Sequence, residues 1–364
     1  MQANLFFDEE WIIKKADESL TMKPVHITDH IAEMSDGNEH EYYSNGDYWW
    51  PDPTKPDGLP YIRRDGESNP NNFNFHRKCI RAMRTAVANL AAGYKISGNE
   101  AYAAHAVRLL KEFFLDESTY MAPHLKYAQA IPGKSSGRGI GIIDTLHLTE
   151  IPFAIKALQA SPSMTDEILT GLKAWFGEYL NWMNTHPYGI EERDYKNNHA
   201  VCWHVQALSF AGFVGDYNLI RECIRRYKEV LLPRQMRYDG GFEDELKRTK
   251  PYSYSILILD NMVTLVHLAA LFGENLWNYE TEDGRSIKRG LDFLLPYIED
   301  KSSWFLPDDV EHFDAWPARA SFMVFAGLHY RDERYSKLYR SLPPESFNEE
   351  VRRNLAIRQP ILLL

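Results

Sequence analysis

The sequence predicts an all-α protein made of repeated helical hairpins, and three observations carry this prediction. Apolar residues recur at helical spacing through most of the 364 residues. Short turns that contain Gly or Asp, such as Ser97-Gly98-Asn99 and Gly215-Asp216-Tyr217, separate one apolar segment from the next, which is typical of helical hairpins. Strands do not alternate with helices in the pattern, so doubly wound and TIM-barrel folds are disfavoured.

The predicted helices have apolar residues three or four positions apart. In the first of them, Ile80, Met83 and Val87 follow this spacing. Asn99 and Thr165 precede two later helices and are suitable N-caps for them. The predicted helices span 76–97, 99–115, 144–160, 164–185, 199–214, 217–231, 253–273, 284–299 and 315–328.

Three long stretches lack this periodicity, and we expect them to be loops that line a cleft. They span about 35–75, 119–143 and 232–252. Segments of this length without regular structure usually carry function or are disordered, and the many aromatic residues of the first stretch argue against disorder. No segment has the composition of a linker between domains, so residues 1–364 are predicted to form a single domain.

The charge balance bears on the possible partners. The 41 Lys and Arg residues against 51 Asp and Glu give a net charge of −10, so nucleic acid is not an expected partner. An anionic substrate is compatible with this charge, because the local field in a cleft matters more than the net charge. No apolar run is long enough to suggest a membrane span. The segment before Asp8-Glu9-Glu10 does not have the pattern of a signal peptide. We expect a periplasmic or secreted protein whose signal peptide has been removed.

Cysteine and histidine spacing predicts neither a metal site nor another cofactor. Cys79, Cys202 and Cys223 have no metal-binding or redox spacing. Cys79 and Cys202 lie in apolar helical stretches, as free buried thiols do. His199 and His204 are five positions apart, and no carboxylate follows them at ligand spacing.

The first candidate functional stretch is Lys196-Asn197-Asn198-His199, at the head of an apolar helical segment. Asn197 or Asn198 is a suitable N-cap, and a histidine at such a place is often a packing residue. The backbone N–H groups at a helix start also favour an anion. The amide and the imidazole beside them are therefore candidates for holding a carboxylate.

The second candidate stretch runs from Glu245 to Tyr254, at the head of another apolar segment. Pro251 prevents a helix from running through it, so Tyr254 lies near the start of the next helix. Taken alone, the stretch is also consistent with Arg248 as a surface charge and with Tyr252 and Tyr254 as core residues. Positive charge concentrated beside the two phenols favours phenolate, however, and that combination can move a proton next to a carboxylate.

Aromatic residues concentrate in the first long loop, outside any predicted helix. So many aromatic side chains would be unfavourable as bare surface, so we expect Trp49 or Trp50 to pack and Tyr48 or Tyr61 to face a cleft. Flat apolar faces with a polar handle suit sugar rings. The candidate substrate-binding residues are Tyr48, Trp49, Tyr61, Arg64, Gln129, Lys134, Arg138 and Tyr252.

Four motifs together resemble the alginate-lyase superfamily of polysaccharide lyases. They are Asp47-Tyr48-Trp49-Trp50-Pro51, Ala130-Ile131-Pro132-Gly133 with the segment from Gly137 to Asp144, Asn197-Asn198-His199, and Arg248 through Tyr254. The resemblance covers about residues 40–260 and implies an (α/α) toroid, an incomplete barrel of helical hairpins with long cleft-lining loops.

The resemblance also implies the site residues and the reaction. Asn198, His199, Arg248 and Tyr254 match the family's catalytic residues. Six positions separate Arg248 from Tyr254, with Pro251 between them, which is more similar to a sister family of glucuronan and alginate lyases than to the best-known alginate lyases. This departure leaves Tyr252 as the competing phenol. The implied activity is β-elimination on a 4-linked uronate polymer, either alginate (polymannuronate) or glucuronan, and it requires no metal.

Two other functions remain open from the residues alone. A glycoside hydrolase on a helical barrel uses two carboxylates, for which Asp47, Glu191, Glu243 and Asp244 are candidates. A noncatalytic polysaccharide-binding protein would use the aromatic loop equally well. Such a protein has no need for a phenol, a guanidinium and an imidazole together.

Overall fold

The computed structural model describes residues 5–364 and confirms the all-α prediction, with 59% helix and 5% strand. Most of the helical residues belong to α-helices, and the remainder to short 3₁₀ and π segments. The helices are α1 Glu9–Leu20, α2 Phe75–Ser97, α3 Glu100–Phe114, α4 Ile151–Leu158, α5 Asp166–Thr185, α6 Pro187–Arg193, α7 Asn198–Val214, α8 Tyr217–Arg226, α9 Leu232–Gln235, α10 Glu243–Leu246, α11 Pro251–Leu271, α12 Ile287–Glu299, α13 Ser321–Tyr330, α14 Glu333–Ser341 and α15 Glu349–Arg353.

The N-caps predicted from the sequence are confirmed. The Oδ1 atom of Asn99 accepts a hydrogen bond from the backbone N–H of Ala101 at 3.0 Å, at the start of α3. The hydroxyl oxygen of Thr165 accepts one from the backbone N–H of Ile168 at 3.3 Å, at the start of α5. Both bonds satisfy backbone donors that have no partner within the helix, which is why these helices begin there.

Three predicted helices need correction. Residues Gly139–Glu150 form a 3₁₀ helix before α4, because Pro152 lacks the N–H that would continue an α-helix backward through it. The segment after α8 continues as a π-helical turn at Tyr227–Leu231. The helix predicted from residue 315 begins instead at Ser321, because Pro317 disfavours helical backbone at the preceding residue.

The long stretches predicted to be loops contain short regular elements. Strand β1 (Tyr43–Asn45) pairs in parallel with β4 (Tyr127–Ala130), and β2 (Trp49–Trp50) pairs antiparallel with β3 (Ile62–Arg63). The third stretch contains the short helices α9 and α10. Pairing between strands far apart in sequence ties the first two stretches together in space.

Backbone contacts divide the chain into two compact units. One consists of Asp8–Glu192 with Arg358–Leu364, and in it α2 packs against α1, α3 and α4. Its C-terminal segment is held by Glu150, whose Oε1 atom accepts the backbone N–H groups of Arg358 at 3.0 Å and Gln359 at 2.5 Å. The single-domain prediction stays a prediction.

The other unit consists of Arg193–Ile357 with residues 5–7 of the described N-terminal segment. In it α11 packs against α7, α12 and α13, and α7 also packs against α8. Seventeen of the side chains of α11 are buried, so this helix forms the centre of the unit's core.

Helix α11 corrects the expectation that no apolar run is long enough to cross a membrane. Its 21 residues have a mean hydropathy of 1.6 over the best window, which meets the length and composition of a span. However, 78% of that window is buried inside the fold. Its polar residues Asp260 and Thr264 also bond to Ser321 of the same unit, so we interpret α11 as a core helix.

Asp260 is the buried carboxyl group of this core helix. Its Oδ1 atom accepts the hydroxyl of Ser321 at 2.8 Å and the backbone N–H of Phe322 at 2.7 Å, and so caps the start of α13. Burial raises the pKa of Asp260 to about 6, although these hydrogen bonds oppose the rise. The folded state therefore favours the protonated form of this group.

We expect Asp260→Asn to change how stability depends on pH. A folded-state pKa above the unfolded value gives stability that is present at low pH and lost as the pH rises through about 6. Between pH 4 and pH 7 the wild type should lose roughly 2 kcal/mol of unfolding free energy relative to the variant. Urea denaturation of both proteins across this range measures the difference, and a difference that does not vary with pH would contradict the buried-carboxyl account.

Candidate active site

The start of α7 shows which of the two asparagines is the cap. The Oδ1 atom of Asn197 accepts a hydrogen bond from the backbone N–H of His199 at 3.3 Å, and its backbone is extended, as an N-cap requires. Asn198 is therefore the first helical residue, and its side chain is available for another role. His199 follows it, half-buried, with its ring 5.4 Å from that of Tyr195.

A buried carboxylate receives Asn198. The Oε1 atom of Glu245, in α10, accepts the backbone N–H of Asn198 at 2.9 Å and its side-chain Nδ2 at 2.8 Å. Glu245 is 0% exposed and Asn198 is 1% exposed, so both groups are removed from water. This contact joins the two candidate stretches through a residue that the sequence reasoning did not select.

Arg248 extends this contact to the phenol. A guanidinium nitrogen of Arg248 lies 3.9 Å from Oε2 of Glu245. The guanidinium carbon lies 4.1 Å from the centre of the Tyr254 ring, which is within range of a cation–π interaction. The unit therefore brings Asn198, Arg248 and Tyr254 together around Glu245, with His199 next to Asn198 in the chain.

The environment of Glu245 acts on its pKa in two directions. Burial raises the pKa, because the low-dielectric interior disfavours the charged form. The two hydrogen bonds from Asn198 oppose the rise, and so do the charges of Arg248 and His199. The signal that could have identified Glu245 is its place three residues before Arg248, where acidic and basic side chains meet on a helical turn.

The start of α11 separates the two candidate tyrosines. Tyr254 lies in the first turn and is half-buried, whereas Tyr252 is 0% exposed. The hydroxyl of Tyr252 donates to the backbone carbonyl of Tyr297 at 3.0 Å, its ring lies edge-on to that of Trp304, and burial raises its pKa. The structure therefore does not support the predicted substrate contact of Tyr252, because its hydroxyl is bonded to a backbone carbonyl and its ring packs against Trp304.

A carboxylate from a distant loop caps this helix. Asp309 accepts the backbone N–H groups of Tyr252 and Ser253, each at 2.9 Å, and Val310 donates its N–H to the carbonyl of Thr249 at 3.1 Å. These bonds fix the first turn of α11, and with it Tyr254. Nothing local to the stretch from Glu245 to Tyr254 indicated this partner, because it comes from a loop after α12.

The unit that contains Asp8–Glu192 brings Trp49, Lys134 and Arg138 together. The Lys134 ammonium lies 4.9 Å and the Arg138 guanidinium carbon 5.7 Å from the centre of the Trp49 ring. These contacts place two positive charges next to the ring of one half-buried tryptophan. Such a surface suits an anionic sugar, with the ring packing on the tryptophan and the charges beside it.

The β2–β3 hairpin carries the remaining aromatic candidates. The backbone N–H of Arg64 donates to the carbonyl of Tyr48 at 2.8 Å, and the Arg64 guanidinium carbon lies 4.9 Å from the centre of the Trp50 ring. Tyr61 donates its backbone N–H to the carbonyl of Pro132 at 3.1 Å. The four aromatic residues are all half-buried, so each is partly accessible to a ligand: Tyr48, Trp49, Trp50 and Tyr61.

Gln129 is held in an uncommon backbone conformation, with φ at 51°. Its carbonyl accepts Nε of Arg138 at 2.8 Å, and its Oε1 accepts a terminal nitrogen of Arg138 at 3.1 Å. Its Nε2 donates to Oδ1 of Asp144 at 3.1 Å, and Asp144 also accepts Nε of Arg77 at 3.0 Å. Asp144 and Arg77 thus support the predicted residues Gln129 and Arg138, although neither was a candidate itself.

Gly137 explains part of the Gly-Arg-Gly sequence. A Cβ atom at this position would lie 1.8 Å from the backbone carbonyl oxygen of Lys126, so only glycine fits. The close approach lets the segment before Arg138 lie against the residues next to β4. The need for glycine at position 137 is therefore a packing requirement, and the close approach places Arg138 beside Gln129.

The described residues contain no constellation suited to a metal. Within residues 5–364, no group of three or more His, Cys, Asp or Glu side chains is placed to hold an ion. Cys79, Cys202 and Cys223 are buried and are not bridged to one another, which confirms the buried thiols predicted for Cys79 and Cys202.

Comparison with known proteins decides the family. A family model described as alginate lyase matches residues 26–304. The chain belongs to the alginate lyase family. It is therefore a polysaccharide lyase, and its fold is the (α/α) toroid class that the sequence predicted.

Solved structures of other alginate lyases are similar over nearly the whole chain. An alginate lyase from Bacteroides ovatus is 34% identical with a TM-score of 0.85, and the match covers 96% of this chain and 92% of that one. Alginate lyase A1-III from Sphingomonas species A1 is 15% identical with a TM-score of 0.57, over 93% of this chain and 95% of that one. A complex of alginate lyase A1-III with a tetrasaccharide is 15% identical with a TM-score of 0.58, over 95% and 88%. A search of curated proteins finds no match.

Because the chain belongs to the lyase family, the hydrolase and the noncatalytic binding protein are no longer the favoured functions. Two of the four carboxylates considered for hydrolysis also have other partners. Asp47 forms an ion pair with Arg77. Glu243 forms one with Lys247 at 2.6 Å, which holds the pKa of Glu243 below its usual value. A hydrolase requires the opposite, a carboxyl group whose pKa is raised so that it can act as an acid.

We expect Asp309→Ala to weaken both the fold and the activity of this alginate lyase family member. Loss of the cap leaves two backbone donors of α11 without their partner, which should lower the unfolding free energy by about 1–2 kcal/mol. The first turn that carries Tyr254 should then be less well fixed, so kcat should also fall. Asp308→Ala is the matched control, because Asp308 is exposed. Denaturation and steady-state assays compare the two variants, and equal stability would contradict the capping role.

Proposed function

We propose that this lyase cleaves 4-linked uronate polymers by β-elimination and releases unsaturated uronates, with mannuronate-rich alginate as its main substrate. The observation that carries the proposal is the Arg248 guanidinium, placed 4.1 Å over the Tyr254 ring and 3.9 Å from the carboxylate that holds Asn198. A cation, an amide and a phenol in one place suit a substrate carboxylate next to a proton transfer. The names of the similar structures support alginate as the polymer.

The difficulty of this reaction is the C5 proton, which is a poor acid while the neighbouring carboxylate is ionised. In the proposed mechanism Asn198, His199 and Arg248 bind that carboxylate and stabilise the negative charge that develops on it. Preorganised donors of this kind are each worth roughly 3–4 kcal/mol in comparable sites. Tyr254, as the phenolate, takes the C5 proton, and the phenol so formed donates that proton to O4 as the C4–O4 bond breaks and the C4–C5 double bond forms.

The stereochemistry of the sugar determines whether one residue is enough. In β-mannuronate and β-glucuronate, the C5 hydrogen and O4 lie on the same side of the ring, so Tyr254 serves as both base and acid. In α-guluronate they lie on opposite sides, and His199 would have to act as the base. Tyr254 is the half-buried phenol beside Arg248, and a mechanism with this one phenol as base and acid favours mannuronate over guluronate as the substrate.

Glucuronan is the second candidate substrate. Glucuronate differs from mannuronate only at C2, so both polymers need the same catalytic geometry. Six positions separate Arg248 from Tyr254, with Pro251 between them at the first position of α11, and this is the feature in which the sequence is more similar to lyases of glucuronan and alginate. Trp49, Lys134 and Arg138 offer a cationic aromatic surface to either polymer. A polymeric substrate also fits the expected periplasmic or secreted location, which stays a prediction.

We expect Tyr254→Phe to abolish the reaction while the protein remains folded. Loss of the hydroxyl removes the proposed base and acid, and kcat on polymannuronate should fall by roughly 10²–10⁴-fold, the range for a positioned acid–base group. The ring and its contact with Arg248 remain, so the unfolding temperature should stay near that of the wild type. The ultraviolet absorbance of the unsaturated product follows the reaction.

Tyr252→Phe is the matched control, since it removes the other phenol of the same helix. It should keep the activity but lower the unfolding free energy by about 1 kcal/mol, because the buried carbonyl of Tyr297 loses its donor. If Tyr254→Phe retains near-wild-type kcat, the mechanism is wrong. If Tyr252→Phe is the inactive variant, the two phenols are assigned in the wrong order.

A panel of uronate polymers tests the substrate. Polymannuronate, polyguluronate, glucuronan and a glycosaminoglycan are assayed separately by product absorbance. We expect the highest kcat/KM on polymannuronate, measurable activity on glucuronan, and much lower activity on polyguluronate, whose C5 hydrogen and O4 are on opposite sides. Preference for polyguluronate would contradict the single-tyrosine mechanism, and sugar release without absorbance would contradict elimination altogether.

A further inference from the structure

Glu245 is a fully buried carboxylate that contacts two residues of the proposed site without being one of them. Its Oε1 atom accepts both the backbone and the side-chain donors of Asn198. Its Oε2 atom lies 3.9 Å from an Arg248 nitrogen and makes no hydrogen bond within residues 5–364. Burying a carboxylate with one oxygen unsatisfied is unfavourable, so a purely structural position would more readily hold an amide or an apolar group.

An ionised carboxylate fixes the orientation of the Asn198 side chain. A carboxylate only accepts hydrogen bonds, so it selects the Nδ2 side of the amide and turns the Oδ1 side away. In the proposed function, the other Nδ2 hydrogen is the one that Asn198 donates to the substrate carboxylate. In the opposite orientation the Asn198 oxygen would take the place of a donor, and it would repel a substrate carboxylate. A neutral amide at position 245 could pair with either orientation.

The same carboxylate balances the charge of Arg248. The Arg248 guanidinium lies 3.9 Å from Glu245 and 4.1 Å from the centre of the Tyr254 ring, and its side chain is only 18% exposed. The groups that act on the ionised form of Glu245 are Asn198, His199 and Arg248, all of which favour it against the effect of burial. Glu245 and the Tyr254 ring therefore both help to hold the guanidinium in place.

We propose that Glu245 is a positioning residue, whose carboxylate sets the orientation of the Asn198 amide and holds the Arg248 guanidinium against the Tyr254 ring. The inference rests on the proposed β-elimination. Its effect is exerted on groups that stabilise the transition state, so it should appear in kcat more than in KM.

Glu245→Gln is the decisive variant, because it keeps the shape of the side chain and an oxygen that can accept both bonds from Asn198. It loses the charge opposite Arg248 and no longer forces one amide orientation. With polymannuronate and the full chain, we expect kcat to fall 10- to 100-fold, KM to change less than threefold, and the unfolding temperature to stay within a few degrees of the wild type.

Glu243→Gln is the matched control. It makes the same chemical change two residues earlier in α10, on a partly exposed side chain paired with Lys247. We expect wild-type kcat and KM from this variant. A crystal structure of Glu245→Gln should also show the Arg248 guanidinium displaced from its place over the Tyr254 ring.

Each other outcome overturns the inference. A folded Glu245→Gln enzyme with wild-type kcat shows that the charge does not position anything, and a variant that fails to fold shows that the role is structural. An equal loss in Glu243→Gln shows that any charge change in α10 has the effect. Failure of the proposed function is distinguishable, because it appears in the wild type as no unsaturated product from any polymer, and the inference falls with it.

Discussion

The hydrogen bonds between Glu245 and Asn198 are the contact on which the rest of the site depends. They join positions 47 residues apart in the sequence, one at the start of α7 and the other in α10. Because both groups are buried, neither can exchange its partner for water, and breaking the contact would leave unsatisfied polar groups in the interior. The contact therefore fixes the distance between the two stretches, and Arg248 follows three residues after Glu245.

The register of α11 decides which tyrosine is part of the site. Successive residues of an α-helix are about 100° apart, so side chains two positions apart point to nearly opposite sides. Tyr252 enters the core, and Tyr254 lies at the surface of the unit beside Arg248. Pro251 at the first position and Asp309 at the cap set where the helix begins, and hence which of the two phenols turns inward.

Local patterns predicted the helices, and long-range partners account for what they missed. Apolar spacing and the caps Asn99 and Thr165 act within one turn of the chain, so the sequence shows them directly. The four catalytic candidates were found through a resemblance between short motifs. Glu245, Asp309 and Asp144 were not found, because each gains its role from a hydrogen-bond partner that only the folded chain brings near. The choice between Tyr252 and Tyr254 likewise needed the start of α11, which the sequence placed two residues too late.

The contacts of the Lys and Arg side chains explain how a protein with a net charge of −10 can bind a polyanionic substrate. Many basic residues are neutralised by surface ion pairs, such as Arg225 with Glu222 and Arg334 with Glu299. Lys134 and Arg138 instead lie over the Trp49 ring. An aromatic face attracts a cation without cancelling its charge, so these residues are fixed in place yet keep a positive field. The net charge of the whole molecule therefore favours its solubility, while the charge that a substrate meets at the binding groups depends on the neighbours of each cation.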